Sequence, residues 1–428
     1  MSVAYPPAPV GADAVGGAEQ ILTLIDEALA AAGARSIVIA AEGSTCAGEL
    51  RAIPRPRGTL DEAARREAQA HARAAIARTL DERAVDVVHL HGLDFAAYLP
   101  PPGPRVVVTL HLPPAWYSPR AFAAALERRD VSFVCVSAAQ RAACPAGLEP
   151  IVIANGVAVE RFAGRRRRLG FALGLGRVCP EKGWHLAIDA CARAGVPLVL
   201  GGRVFEYTEH ERYFREQVAP RLGAGVRFAG ALGAARKRRL LGAARALIAP
   251  SLAPETSSLA AMEALASGTP VVALRAGALG EIVEHGRTGF LADSVDELAD
   301  GLRRAGEIDA ALCRSTALAR FDAAAMTARY LDLYRRLPRP APRAEQPHDE
   351  QRRPEQLHVE QLRVARLHGE QTLDEQSYGE QTCGERILDE RTLDEQTRGE
   401  RTLDERTLGE PTRREPTRRE PTRREPTL

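Results

Sequence analysis

The sequence predicts an α/β architecture, and three observations carry that reading. Short apolar runs alternate with amphipathic helical segments from the N-terminus to about residue 336. Most of these runs lack strict polar alternation, as strands buried on both faces should. Beyond residue 347 the pattern gives way to five-residue units such as TLDEQ, TLDER and TRREP.

Taken in order, the first strand has only residues 2–5 available before a proline-rich loop. Gly16 and Gly17 then precede a helix expected over 20–32. Strands are expected at 36–40, 85–90, 106–110, 133–136 and 151–153. The pattern resets across NGVAVERFAGRRRRLG, which reads as a domain linker. A second series of strands is expected at 171–175, 197–200, 226–228, 246–248 and 271–274. FDAAAMTARYLDLYRRL has the periodicity of a closing helix. A period of five matches neither helix nor strand, so the tail builds no continuous apolar face. Mixed charge with few large apolar residues predicts disorder there.

Length and composition bound the function. The chain has 428 residues, enough for two domains, and 45% of them are hydrophobic. No apolar run is long enough to span a membrane, and the first residues lack the basic and apolar regions of a signal peptide. Seven cysteines form no C-x-x-C pair and show no metal-ligand spacing, so they read as small core hydrophobes in a reduced, cytoplasmic compartment. The net charge of +2 divides unevenly: residues 339–428 carry 17 Arg against 21 Asp and Glu, which leaves the body at +6. A mildly basic body suits phosphate-bearing ligands and falls short of a nucleic-acid footprint. The arginine run 165–168 reads first as a solvated linker face, with contact to an acidic acceptor or to anionic lipid at the inner face of a membrane as its other use.

The most informative stretch is APETSSLAAMEALASGTPVVAL. Ser257 or Ser258 can cap a helix there, and Leu259, Met262 and Leu265 give it an apolar stripe. Gly268 and Pro270 end it before a buried strand. Glu255 therefore stands just ahead of a helix N-terminus and Glu263 on the helix itself. Unsatisfied N–H groups at such an end suit phosphate or sugar oxygens. In LGLGRVCPEKGWHLAIDA, Arg177 and Lys182 fall between a strand end and a helix, where open α/β sheets bind ligands. Two such cations can neutralise a diphosphate without a metal.

These segments resemble glycosyltransferase family 4, the retaining enzymes of the GT-B fold. The likeness lies in the E-x7-E pair Glu255 and Glu263, in Gly176, Arg177, Lys182 and Gly183 of a G-R-x-x-x-x-K-G pattern, and in Asn155-Gly156-Val157. It covers about residues 10–336. One departure is Thr256-Ser257-Ser258 where many relatives carry Pro-Phe-Gly after the first Glu. The resemblance implies two facing doubly wound, Rossmann-like parallel-sheet domains with a cleft between them. The acceptor-side domain would span 1–160 and the NDP-sugar domain 161–312. A helix over 313–338 would cross back to the first domain, and 339–428 would be a disordered repeat tail.

The resemblance also assigns roles. Glu255 would hold donor-sugar hydroxyls and Glu263 the nucleotide ribose, while Arg177 and Lys182 stabilise the leaving diphosphate and His111 lies near the reacting centre. Gly16, Gly17, Arg203, Ser257, Ser258, Leu259 and Glu281 complete the donor side. His89 and His91 in DVVHLHG are read as facing opposite ways, with His91 toward the acceptor. No third residue near that H-x-H pair suggests a metal, and none is expected. The implied reaction moves a hexose from an NDP-sugar, UDP-glucose favoured over GDP-linked donors, to an unspecified small-molecule, glycan or lipid hydroxyl. An epimerase of the same fold and a binding-only protein are the alternatives. The first would need acid and base carboxylates that no motif supplies.

Overall fold

The computed structural model describes residues 1–337 apart from 59, 163–166 and 224. The repeat tail and the first half of the arginine run lie outside the described residues.

Thirteen strands are described. Seven form one sheet: β1 (Ser2–Val3), β2 (Ile37–Ala41), β3 (Glu49–Ile53), β4 (Val87–Leu90), β5 (Arg105–Leu110), β6 (Val131–Cys135) and β7 (Ile151–Val152). Six form the other: β8 (Ala172–Leu175), β9 (Leu198–Gly201), β10 (Val226–Phe228), β11 (Ala246–Ala249), β12 (Val271–Leu274) and β13 (Gly289–Ala292). The sheet orders are β3-β2-β1-β4-β5-β6-β7 and β10-β9-β8-β11-β12-β13, and every described strand pair is parallel. Each order reverses direction once, at β1/β4 and at β8/β11. These are the switch points at which doubly wound sheets bind ligands, outside the carboxyl ends of the strands.

The central strands are Val-, Ile- and Ala-rich because helices cover both faces of each sheet. Ile37, Val38 and Ile39, like Leu173, Leu247 and Val272, are almost wholly inaccessible. Two strands escaped the sequence reading. β3 is an edge strand whose residues are largely half-exposed and include Glu49 and Arg51, and β13 is a short GFLA run. The 21-residue helix Glu62–Glu82 was also missed, since its buried stripe is mostly alanine.

The chain crosses back between two late helices. Ala310–Arg320 contributes Cys313 and Ala317 to the core of the second sheet. The final helix, Ala323–Arg336, packs Met326, Tyr330 and Leu333 against Ile21, Ile25, Val107 and Val134 of the first. The turn comes at Asp322, where Val157 N–H donates to Phe321 O (2.8 Å) and Ala323 N–H to Val157 O (2.9 Å). Among the described residues, no helix is long and apolar enough to cross a membrane.

Candidate active site at the facing strand ends

The second sheet presents its switch point through two loops. After β8 the chain runs through Gly176 and Arg177 into a one-turn 3-10 segment, Pro180–Lys182. After β11 it runs through Ser251 and Glu255 to the helix Leu259–Ala266. The loops meet at an ion pair: Lys182 Nζ lies 2.5 Å from Glu255 Oε1, with the Glu255 side chain only 11% exposed. Ser251 Oγ donates to the same carboxylate oxygen.

Two glycines make that meeting possible. Gly183 adopts φ +62°, and a Cβ on it would stand 2.3 Å from Pro250 O. Gly277 adopts φ +56°, and a Cβ there would stand 2.4 Å from Glu255 O. Only a residue without a side chain fits either place. The second contact is reinforced by Ala278 N–H donating to Glu255 O (2.7 Å).

Ser258 caps the helix, its Oγ accepting from Ala261 N–H (3.4 Å). Ser257 Oγ is buried without a hydrogen-bond partner among the described residues. Leu259 reaches across to the first half, where a Cβ on Gly17 would lie 3.5 Å from its Cδ1. Gly17 begins the helix Gly17–Ala31, with Gly16 as its cap residue. Glu19 folds over Gly16, and a Cβ there would meet the Glu19 carboxylate. Burial pushes the Glu19 carboxyl above its usual range, and the charge of Arg177 from the other half opposes that shift.

Glu263 is buried and paired with Lys237, Nζ to Oε1 at 2.5 Å. Burial raises its carboxyl and the Lys237 charge works against the rise. The pair lines a cleft with Gly11, Thr23 and Leu24 of the first half and Gly156 and Arg161 of the linker. Sequence spacing gave no hint of Lys237, which belongs to the basic run ARKRRL and lies 26 residues from its partner. Ser251 and Thr256 were likewise missed, being ordinary loop hydroxyls until the loops are folded.

The first half contributes His111 just beyond β5. Its carbonyl accepts from Thr256 Oγ1 (2.8 Å), next to Glu255. Its Nε2 lies 3.0 Å from His91 Nδ1. His89 and His91 do not face opposite ways: their rings lie 3.9 Å apart, because residues two apart in a strand share a face. His91 is 2% exposed. Both nitrogens of His89 are occupied, Nδ1 by Tyr334 OH (2.6 Å) and Nε2 by Thr109 Oγ1 (2.7 Å), which leaves it none for a metal. Burial depresses all three histidines, His111 to about 3.

Two further residues stand apart from the ion pair. Arg203 follows β9, pairs loosely with Glu206 (3.6 Å) and covers the Phe205 ring. Glu281, in the short helix Leu279–Ile282, accepts from Ala138 N–H (3.2 Å) and Ala139 N–H (2.5 Å). It thus caps the first-half helix Ala138–Ala142 and ties the halves together.

Comparison with known proteins agrees with this geometry. Residues 15–161 match the family described as Glycosyltransferase Family 4, and residues 167–307 match Glycosyl transferases group 1. The glycogen synthase of Mycobacterium tuberculosis is 38% identical over 154 residues, 34% of this chain. That stretch spans 36% of the relative, little more than a third of its length. AviGT4, a glycosyltransferase involved in Avilamycin A biosynthesis, superposes over 78% of this chain and 97% of its own, with 25% identity and a TM-score of 0.59. Anabaena Alr3699/HepE, solved with UDP and glucose, covers 78% of this chain and 99% of its own at 22% identity and a TM-score of 0.61, a likeness of fold.

Proposed function

This chain belongs to the family 4 glycosyltransferases of the GT-B fold, and from that premise we propose that it moves a hexose from an NDP-sugar, with UDP-glucose favoured, to an acceptor hydroxyl with retention of configuration. The observation that carries the proposal is the Lys182–Glu255 pair at the switch point of the second sheet, with Arg177 on the same turn.

In the free protein the two groups neutralise each other. A bound donor offers each a better partner: the diphosphate takes Lys182 and Arg177, and a sugar hydroxyl donates to Glu255. In the transition state the bond from the anomeric carbon to the diphosphate oxygen breaks on the face where the acceptor oxygen bonds. The acceptor's proton passes to the departing phosphate oxygen. Two cations are placed to meet the charge that develops there. His111, half-buried and neutral, borders the sugar on the other side. Glu263 would hold the ribose, with Lys237 keeping its carboxylate ionised. The choice of UDP over GDP follows the nucleotide in HepE, a neighbour in fold.

Mass spectrometry of a sugar-nucleotide panel incubated with the chain tests this. Slow release of free sugar and NDP from one donor, retained by wild type and lost in Lys182→Ala, is the expected result. Conversion of the donor to its epimer, or tight binding with no turnover in the presence of any acceptor, overturns it.

A further inference from the structure

The turn that carries Arg177 and Lys182 also holds three side chains that the transfer reaction does not use. Cys179 and Glu181 lie between the two cations along the chain, and His210 approaches from the helix Thr208–Tyr213. One ligand atom from each of the three lies within 4.8 Å of the other two. Cys179 is fully buried and His210 is 7% exposed.

Two atoms of this cluster are in an unfavourable state as they stand. His210 Nδ1 and Glu181 Oε2 are both buried, and neither has a hydrogen-bond partner among the described residues. Buried polar atoms are almost always satisfied, so two orphans beside a buried thiol call for a common partner. Lys182 cannot serve, because Glu255 holds it. A metal ion, which takes lone pairs from a sulfur, an imidazole nitrogen and a carboxylate at once, would satisfy both atoms.

We propose that Cys179, Glu181 and His210 form a zinc site. The donor set selects the ion: thiolate and imidazole suit zinc, whereas magnesium and calcium take oxygen ligands. Bond lengths of about 2.0–2.3 Å require the ligand atoms, now within 4.8 Å of one another, to draw in by up to roughly an ångström. The charges close as well. On binding, Cys179 releases its thiol proton to solvent; thiolate and carboxylate together balance the two positive charges of the ion. The fourth position is left for water. The ion ties the Arg177–Lys182 turn to the helix Thr208–Tyr213 and so fixes the cations from behind. It takes no part in sugar transfer, and its test is independent of that activity.

The experiment uses the full chain stripped with a chelator and then titrated with cobalt or zinc alone. Cobalt is expected to bind one per chain, with a thiolate-to-metal charge-transfer band and the strong visible absorption of a tetrahedral site. Cys179→Ser is expected to abolish the band. His210→Ala is expected to weaken binding by more than the roughly 10–100-fold that loss of an outer-shell partner costs. Glu181→Gln keeps the shape of the turn and should weaken binding while leaving the fold intact. X-ray absorption at the zinc edge of the wild type needs no variant; it should show one sulfur and otherwise nitrogen and oxygen. Absence of stoichiometric binding, a band that survives Cys179→Ser, or a shell without sulfur or with several overturns the proposal.

Discussion

Thr256 donates its hydroxyl to the carbonyl of His111 across the gap between the two sheets, at 2.8 Å. The residue before it, Glu255, is held by Lys182 on the opposite side. The loop after β11 is therefore fastened at two successive residues, once to each half of the protein.

Removing Lys182 should affect catalysis more than folding. Its side chain is 25% exposed, and without it Glu255 keeps the Ser251 hydroxyl and some access to water. Lys182→Ala is expected to lower kcat by about 100-fold or more, the range seen when one transition-state donor is lost. Thermal unfolding should move little. Steady-state assay with the donor from the panel checks the first half, and calorimetry the second.

Lys237 and Glu263 should respond unequally to mutation. Lys237→Met strands a buried carboxylate and is expected to cost about 3 kcal/mol or more. Glu263→Gln leaves a lysine that is 22% exposed and can turn to water, so its cost should be much smaller. Urea unfolding of both variants measures the difference. Equal losses would mean that the carboxylate is already protonated in the native state.

His89, His91 and His111 make stability sensitive to acid. Burial holds all three below the ordinary histidine range in the folded state. The unfolded chain therefore takes up protons from about pH 6.5 downward while the native state does not, and stability falls as pH falls. Each histidine contributes a slope of up to about 1.4 kcal/mol per pH unit. Glu19 and Glu263, raised by burial, act in the opposite sense. Urea midpoints between pH 6.5 and 5 should drop in wild type, and the drop should shrink in His91→Gln.

Gly183→Ala places a methyl group 2.3 Å from Pro250 O at a left-handed backbone position. A cost of about 2 kcal/mol or more is expected from strain and displacement together. Gly195→Ala offers a control, since Gly195 has φ +68° and nothing within 4 Å of an added Cβ. Any excess of the first over the second isolates the clash, and it should appear in donor affinity as well as in the melting temperature.

Much of this was legible before the fold. Ten strands were placed within two residues or so, because strands covered by helices on both sides read as unbroken apolar runs. β3 failed that test because its residues are largely half-exposed and include Glu49 and Arg51, and the helix Glu62–Glu82 failed it by packing with alanine. Glu255, Glu263, Arg177 and Lys182 could be found because local chain signals (a cap, a strand end, a glycine turn) surround them. Lys237 and Ser251 could not, since each gains its meaning from a partner on another element. Cys179 shows the same limit from the other side: its neighbours in sequence give no ligand spacing, while folding brings His210 beside it.

The hydroxyl of Thr256 has a consequence for the order of events. A loop fastened to both halves passes a disturbance at one rim to the other. If a donor sugar takes Glu255 from Lys182, as proposed, the neighbouring Thr256 hydroxyl that donates to the His111 carbonyl is the group placed to respond. On the proposed reading, arrival of the donor would be relayed to the acceptor side through the Thr256 hydroxyl. Thr256→Val, which keeps the shape and loses the O–H, is expected to leave donor affinity intact and abolish any dependence of acceptor affinity on donor occupancy.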